Sequence, residues 1–198
     1  MLMTIAKFGI KTIDTFAYYG LFLFLFYFAF KYFKEFADIF TKINERLQIA
    51  FPGLTKQEKK QRKKAANHFL TQEAPILARK KKYSLLLIIL FLPVFGIGVF
   101  YYFPISDTSL NAFPYFGFAF VLLGIALVLQ EKNRIEESII WQRYLLDHPQ
   151  NQLKVLFLPK ELSIAFLQNI RKRMILTFIT GIFFLIHPLL LKLGLLFV

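Results

Sequence analysis

The side chain best placed to do chemistry in this sequence is a histidine inside an apolar C-terminal segment. His187 is followed by Pro188, and Lys192 lies five residues further on. An ionisable group at membrane depth is often a ligand or part of a proton pathway. Proline, however, removes a backbone hydrogen bond and frees a carbonyl one turn earlier, which suits a kinked helix with a locally bonded histidine. Because no second histidine lies near, the sequence favours a helix kink at His187 and Pro188 over a ligand site.

Patterns typical of membrane enzymes are incomplete in this sequence. It contains no paired-aspartate motif for alcohol phosphotransfer and no glycine-rich phosphate loop. His148 lacks the acidic residue that an acyltransferase motif places after four intervening positions. With no cysteine and three widely spaced histidines, the chain offers neither thiol chemistry nor a cluster of metal ligands. We therefore expect no catalytic, cofactor-binding or metal-binding residues, and a protein that is not an enzyme.

Basic side chains form the most prominent charged pattern. The candidate contacts for lipid or another polyanion are Lys56, Lys59, Lys60, Arg62, Lys63, Lys64, Arg79, Lys80, Lys81 and Lys82. These residues set the orientation of the chain in a membrane, or they bind anionic headgroups or an acidic protein. Nucleic acid is the least favoured partner, because no aromatic side chains interleave the basic run to stack on bases.

The composition predicts an integral membrane protein. The 198 residues are 57% hydrophobic, include 26 phenylalanines and have a mean hydropathy of +0.51. An ordinary soluble domain is about half apolar, and so small a globule has no room to bury so many large rings. Lipid is the environment that covers them.

Four apolar segments are long enough to cross the hydrocarbon as helices, which requires about 17 to 25 residues. They run from Ile13 to Phe30, from Tyr83 to Phe103, from Phe113 to Gln130 and from Met174 to the end. The predicted fold class is all-α, a polytopic bundle of about four transmembrane helices with cytoplasmic helical extensions. Pro93 is expected to kink the second span. The first span is expected to be retained, since a basic stretch rather than a small-residue cleavage site follows it.

The basic residues predict the orientation of these spans. The chain divides into 1–32, 33–82, 83–130, 131–173 and 174–198, and the second and fourth of these ranges hold 13 and 8 lysines and arginines. The predicted opposite side has only Lys7, Lys11 and Lys192. Because positive charge stays on the cytoplasmic side, both basic ranges are expected in the cytoplasm and both termini outside. A bacterial cytoplasmic membrane is the expected location.

The first helix is predicted to continue past its membrane span. Apolar side chains recur at three- and four-residue spacing until Pro52 and Gly53 break the helix. They are Phe33, Phe36, Phe40, Ile43 and Leu47. Acidic residues between them are repelled by anionic lipid, so this face is expected to meet protein, either within the chain or on another subunit.

Other local signals refine this description. Thr55 and Glu58 have the spacing of a capping box, which predicts that a polar helix begins there. The third span is expected to continue as a helix to Asp147. Four glycines suit close packing of helices: Gly96, Gly98, Gly117 and Gly124.

Together these features favour a non-catalytic membrane subunit or assembly component of a larger complex, in secretion, conjugation, transport or energy transduction. Its partners would be the bilayer and other membrane proteins or a second copy of itself. Two alternatives remain open. One is a small oligomeric channel or transporter whose moving parts are Pro93, His187 and Pro188. The other is a scaffold that binds anionic lipid through the basic loop.

Overall fold

The described part of the protein forms five α-helices. The computed structural model describes residues 2–102 and 111–192, and within them the side chains of 20, 21, 23–102 and 111–190. The helices are α1 Leu2–Ala50, α2 Lys56–Glu73, α3 Pro75–Tyr102, α4 Ala112–Asp147 and α5 Lys160–Lys192. No strand occurs in the described ranges, so the predicted all-α class is confirmed.

Three helices are long and apolar enough to cross a membrane. Within the described residues they are α3, α4 and the part of α5 from Lys160 to Leu190, which contain the predicted second span up to Tyr102, the whole third span and most of the fourth. The predicted first span lies in α1, but the side chains of residues 13–19 and of Phe22 are outside the described set, so this span stays a prediction. The connection predicted at 104–110 and the last six residues also lie outside the described residues.

The helix boundaries follow from local chemistry. Gly53 lies in the turn that follows α1. It has a φ of +83°, a backbone conformation that glycine adopts without steric cost. Thr55 caps α2 through the predicted capping box. Its Oγ1 accepts a hydrogen bond from the Glu58 amide at 3.2 Å, while Glu58 Oε2 accepts one from the Thr55 amide at 2.7 Å. The Thr55 hydroxyl also donates to Glu58 Oε2, at 2.8 Å, and the two bonds that the carboxylate accepts, the one from the Thr55 amide first, lower the pKa of Glu58.

The chain forms two compact units. The first comprises Met1–Tyr32, Ile88–Gly124 and Arg173–Val198, and the second comprises Phe33–Leu87 and Ile125–Lys172. The first unit includes most of the residues predicted to lie in the membrane. The second includes most of the charged segments.

Close contact between α4 and α5 organises the first unit. A Cβ atom added to Gly117 would lie 2.5 Å from Leu185 Cγ and 3.1 Å from the carbonyl oxygen of Gly181. A Cβ atom added to Gly181 would lie 3.2 Å from the carbonyl oxygen of Gly117. Gly124 faces the Phe178 ring in the same interface. Small residues that let two backbones approach are the usual means of packing helices in lipid.

The two glycines of α3 differ from each other in their surroundings. Gly98 faces the Phe116 ring of α4, so it belongs to a helix contact as predicted. The prediction for Gly96 was wrong, because Gly96 is exposed and a Cβ atom added there would meet no atom of the described residues within 4 Å. Gly96 lies on the exposed side of α3, and sequence spacing alone did not distinguish the two positions.

Aromatic rings fill the space around the glycine contact. Phe95 of α3 packs on Phe116 with ring centroids 5.1 Å apart, and Phe120 stacks on Phe184 of α5 at 5.8 Å. Phe116 also contacts Phe184 at 5.6 Å. The three apolar helices are therefore joined by one set of rings.

Ion pairs join the helices of the second unit. They are Lys80–Glu136 and Lys81–Glu137 between α3 and α4, Arg171–Glu131 between α5 and α4, and Lys172–Glu35 between α5 and α1. Ser84 adds a hydrogen bond from its hydroxyl to the Ala126 carbonyl at 3.1 Å. Because all these pairs are at least partly exposed, they fix which helix faces which more than they stabilise the fold.

Tyr144 organises the connection between α4 and α5. Its ring is buried against Phe69 of α2 at 4.9 Å, and its hydroxyl accepts a hydrogen bond from the Leu153 amide at 3.1 Å. Asn151 has a φ of +43° and bonds both the amide and the carbonyl of Val155, at 2.7 and 3.0 Å. This connection is therefore a packed loop.

Replacing Gly117 by alanine should destabilise the protein by about 1 to 3 kcal/mol, because the new methyl group overpacks the contact with α5. Gly96→Ala is the matched control, since its methyl group enters open space and alanine favours a helix. Thermal unfolding of the purified protein in mild detergent would measure both. Equal melting temperatures for the two variants would contradict the packing of Gly117 against Gly181.

Candidate interaction surfaces

The apolar face predicted on the α1 extension divides into covered and exposed residues. Phe36 is half-buried, and its ring centroid lies 5.9 Å from that of Phe166 on α5. Ile43 and Leu47 are also half-buried. Phe33 and Phe40, by contrast, expose 65% and 52% of their surface. The residues of the predicted face therefore fall into two sets: one packs on this chain, and the other points away from it.

The structure extends the exposed direction along α1. Phe26 and Phe30 are 65% and 66% exposed and precede Phe33 and Phe40 at the same three- and four-residue spacing. Ala37, between the latter two, is exposed as well. The sequence interpretation missed this row, because three- and four-residue steps from Phe33 lead equally to Phe36 or to Ala37. The row is recognised in the sequence when the alternating spacing of four and three residues is followed from Phe26 to Phe40.

An open groove lies between α1 and the first turns of α5. Its volume is about 450 Å³. It is lined by Lys42, Glu45, Arg46, Ile49, Pro159, Glu161, Leu162 and Ala165. Acidic and basic side chains occur in equal number around an apolar floor, so the groove has no preference for an anion or a cation.

The first basic tract lies on α2, which is anchored to α4. Leu70 is buried, and Phe69 stacks on Trp141 with ring centroids 5.5 Å apart. The Arg62 guanidinium lies 5.9 Å from the centre of the Phe51 ring, and its partial burial lowers the pKa of Arg62. Lys59 is partly covered too, while four lysines are exposed: Lys56, Lys60, Lys63 and Lys64.

The second basic tract, at the start of α3, is partly neutralised by α4. Lys80 Nζ lies 2.6 Å from Glu136 Oε1, and Lys81 Nζ lies 2.9 Å from Glu137 Oε2. Arg79 and Lys82, the other two bases of the tract, are exposed. Within the tract, the outward-facing positive charge is therefore concentrated on one arginine and one lysine.

The rise of the helices gives the distance of each tract from the predicted membrane boundaries. Tyr83 and Gln130 are the predicted membrane boundaries, and Arg79 lies only four residues, or about 6 Å, from Tyr83. Phe69 of α2 meets Trp141, which is eleven residues, or about 16 Å, beyond Gln130 along α4. The attraction of a base to charged headgroups falls off within about 8 to 10 Å at physiological salt. Along α3, Arg79 and Lys82 lie within this distance of the predicted boundary at Tyr83, whereas the contact of α2 with Trp141 lies farther from the predicted boundary at Gln130.

The three residues predicted to form kinks lie inside continuous helices. Pro93 is within α3, and Pro188 is within α5. His187 is 7% exposed, and its ring centroid lies 4.6 Å from that of Phe113 on α4. His187 thus belongs to the packing between α4 and α5.

Among the described side chains, no three histidine, aspartate or glutamate residues lie close enough together to hold a metal ion. The surfaces that stand out chemically are the exposed row on α1 and the two basic tracts. Searches with the sequence and with the structure found no matching family model, curated protein or solved structure.

Proposed function

We propose that this chain is a non-catalytic integral membrane subunit, or an assembly component, of a larger membrane protein complex. The observation that supports this function is the exposure of Phe33 and Phe40 on α1, beyond its predicted membrane span. Burying a phenylalanine side chain contributes about 1.5 to 3 kcal/mol. Two such rings side by side outside the bilayer indicate a surface that another protein covers.

The charges of the extension support protein rather than lipid as the cover. Helices that lie on a membrane surface usually carry lysine and arginine along their polar face. On this extension Asp38 and Glu45 are exposed among the bases, and Glu35 pairs with Lys172. Anionic headgroups would repel these carboxylates, whereas a protein surface can complement both signs of charge.

The channel or transporter alternative has less support. Its moving parts would be Pro93, His187 and Pro188. His187 packs against the Phe113 and Phe183 rings, and an aromatic surrounding suits helix packing better than a path for ions. Few polar residues occur at the middle of the predicted spans, where transporters bind substrates.

Exchanging the exposed rings tests the proposed function. The double variant Phe33→Ser and Phe40→Ser should lose the high-mass assembly in a mild-detergent native gel. It should lower the melting temperature less than Phe36→Ser does, because both rings are more than half exposed and, among the described side chains, Phe40 stacks only on Phe36 of the same helix, at 6.2 Å. Phe36→Ser is the matched control, because it removes the contact with Phe166 and should lower the melting temperature. An unchanged assembly in the double variant would contradict the proposal.

A second candidate function is the binding of anionic lipid, favoured by the exposed Arg79 and Lys82 beside the predicted boundary at Tyr83. Each base near a charged leaflet contributes about 1 kcal/mol, or about fivefold in affinity. Arg79→Gln with Lys82→Gln should therefore reduce retained phosphatidylglycerol, measured by native mass spectrometry after extraction. Lys60→Gln with Lys63→Gln removes equal charge from α2 and should have little effect. A larger loss from the α2 pair would exclude this assignment.

We also propose that the two basic ranges face the cytoplasm and that both termini lie outside, in a bacterial cytoplasmic membrane. The distribution of lysine and arginine supports this orientation. The chain has no cysteine, so single cysteines report sidedness directly. An impermeant maleimide added to intact cells should label Asp107→Cys and spare Lys60→Cys, and cell lysis should expose the latter. The reverse labelling would overturn the orientation.

A further inference from the structure

The exposed row on α1 has the spacing of a coiled-coil seam. Its members are Phe26, Phe30, Phe33, Ala37, Phe40 and Asn44. The steps between them alternate between four and three residues without interruption. In a heptad written a to g, Phe30, Ala37 and Asn44 occupy a, and the other three occupy d. This is the pattern with which two helices pack side by side along their length.

The row differs from the face of α1 that packs on this chain, although Phe40 stacks on Phe36 at the edge between them, with ring centroids 6.2 Å apart. The packing face is half-buried and consists of Phe28, Tyr32, Phe36, Ile39 and Ile43. It continues with the contact of Phe36 to Phe166 and the ion pair of Glu35 to Lys172. All six members of the seam row are exposed. A second helix can therefore occupy the seam while α1 keeps its own contacts.

We propose that the seam row of α1 pairs in parallel with the same row of a second copy of this chain. The inference rests on the proposed function, because it names one partner for the exposed rings. A parallel pair is the arrangement that two copies with the same orientation in one membrane can form.

The charges beside the seam permit self-pairing. In a parallel pair each g position faces the e position five residues on in the other copy, so Phe36 faces Thr41 and Ile43 faces Gln48. Lys34, also at e, faces Ala29. The other charged residues of the extension occupy b, c and f, away from the seam: Glu35, Asp38, Lys42, Glu45 and Arg46. No like charges oppose each other across the pair.

Asn44 supports a two-stranded parallel pair in particular. Asparagine at an a position meets the same residue of the second helix, and it fixes register and oligomeric state at some cost in stability. Against an unrelated apolar helix its amide would lie unpaired. Asn44 is exposed in the single chain, so its amide is available for this contact.

The area of the row suits a dimer contact. An aromatic side chain buries about 150 to 250 Å² when fully covered, and the four phenylalanines are between 52% and 66% exposed. They present roughly 500 Å² per copy to a second helix, about half of it from Phe26 and Phe30 inside the predicted span, against about 800 Å² per partner in an interface of standard size. Leu23, which continues the row at the preceding a position, and Tyr27 beside the row are 65% and 60% exposed and supply further area.

Cysteine crosslinking tests this pairing in the full-length protein. Ala37→Cys places a thiol on the seam at an a position, where the two copies come close enough for a disulfide. Asp38→Cys, the next residue, is exposed but points to the b position and is the matched control. Mild oxidation of membranes should convert most of the Ala37→Cys protein to a band of twice the 23.3 kDa monomer mass and leave Asp38→Cys monomeric.

Two differently tagged copies, expressed together, identify the partner. Both tags in the crosslinked band support self-pairing, while equal crosslinking of the two cysteine variants, or none in either, overturns it. A band of another mass that contains a different protein also overturns it. In that last case self-pairing would be wrong, but the proposed function would keep its support if the Phe33→Ser and Phe40→Ser variant still lost its high-mass assembly. If that variant kept its assembly and the Ala37→Cys protein stayed monomeric, both proposals would be wrong.

Discussion

The structure depends on how closely two helices can approach α4. Ala112, Ala119 and Ala126 are fully buried, and their seven-residue spacing, about two helical turns, places them on one side of the helix. Gly117 and Gly124 repeat at the same interval on nearly the opposite side. Side chains this small let α3 and α5 come near the α4 backbone. Lipid provides no hydrophobic driving force between helices, so van der Waals contact has to hold them together. The aromatic rings then fill the space beside these contacts.

The same helix changes its chemistry beyond Gln130. There α4 carries acidic residues, and Glu131, Glu136 and Glu137 each pair with a base on α3 or α5. Exposed pairs of this kind contribute little to stability, typically below about 1 kcal/mol each. They do select partners, because a helix that slid by one turn would place like charges together. Close packing in the first unit and charge matching in the second therefore each specify which helices meet there.

Local signals in the sequence were enough to predict much of this fold. The capping box at Thr55, the break at Gly53 and the continuation of α4 to Asp147 all depend on residues a few positions apart. The distinction between Gly96 and Gly98 did not follow from spacing, because it depends on where Phe116 of another helix lies. The pairing of half the second basic tract with α4 was missed for the same reason. A run of lysines has the same sequence pattern whether its partners are lipid, solvent or glutamates more than fifty residues away.

The candidate surface on α1 shows the same limit in another form. Phe33, Phe36 and Phe40 obey one helical spacing, yet they belong to two apolar rows roughly a third of a turn apart. One helix of the same chain can cover one row, and α5 covers the row that contains Phe36. The other row stays exposed from Phe26 to Phe40, and it continues past Lys31, where the predicted span ends. Inside the predicted span lipid can cover such rings, whereas beyond it the proposed function assigns them to protein. Two rows a third of a turn apart therefore let one helix pack in its own chain and still present an apolar face.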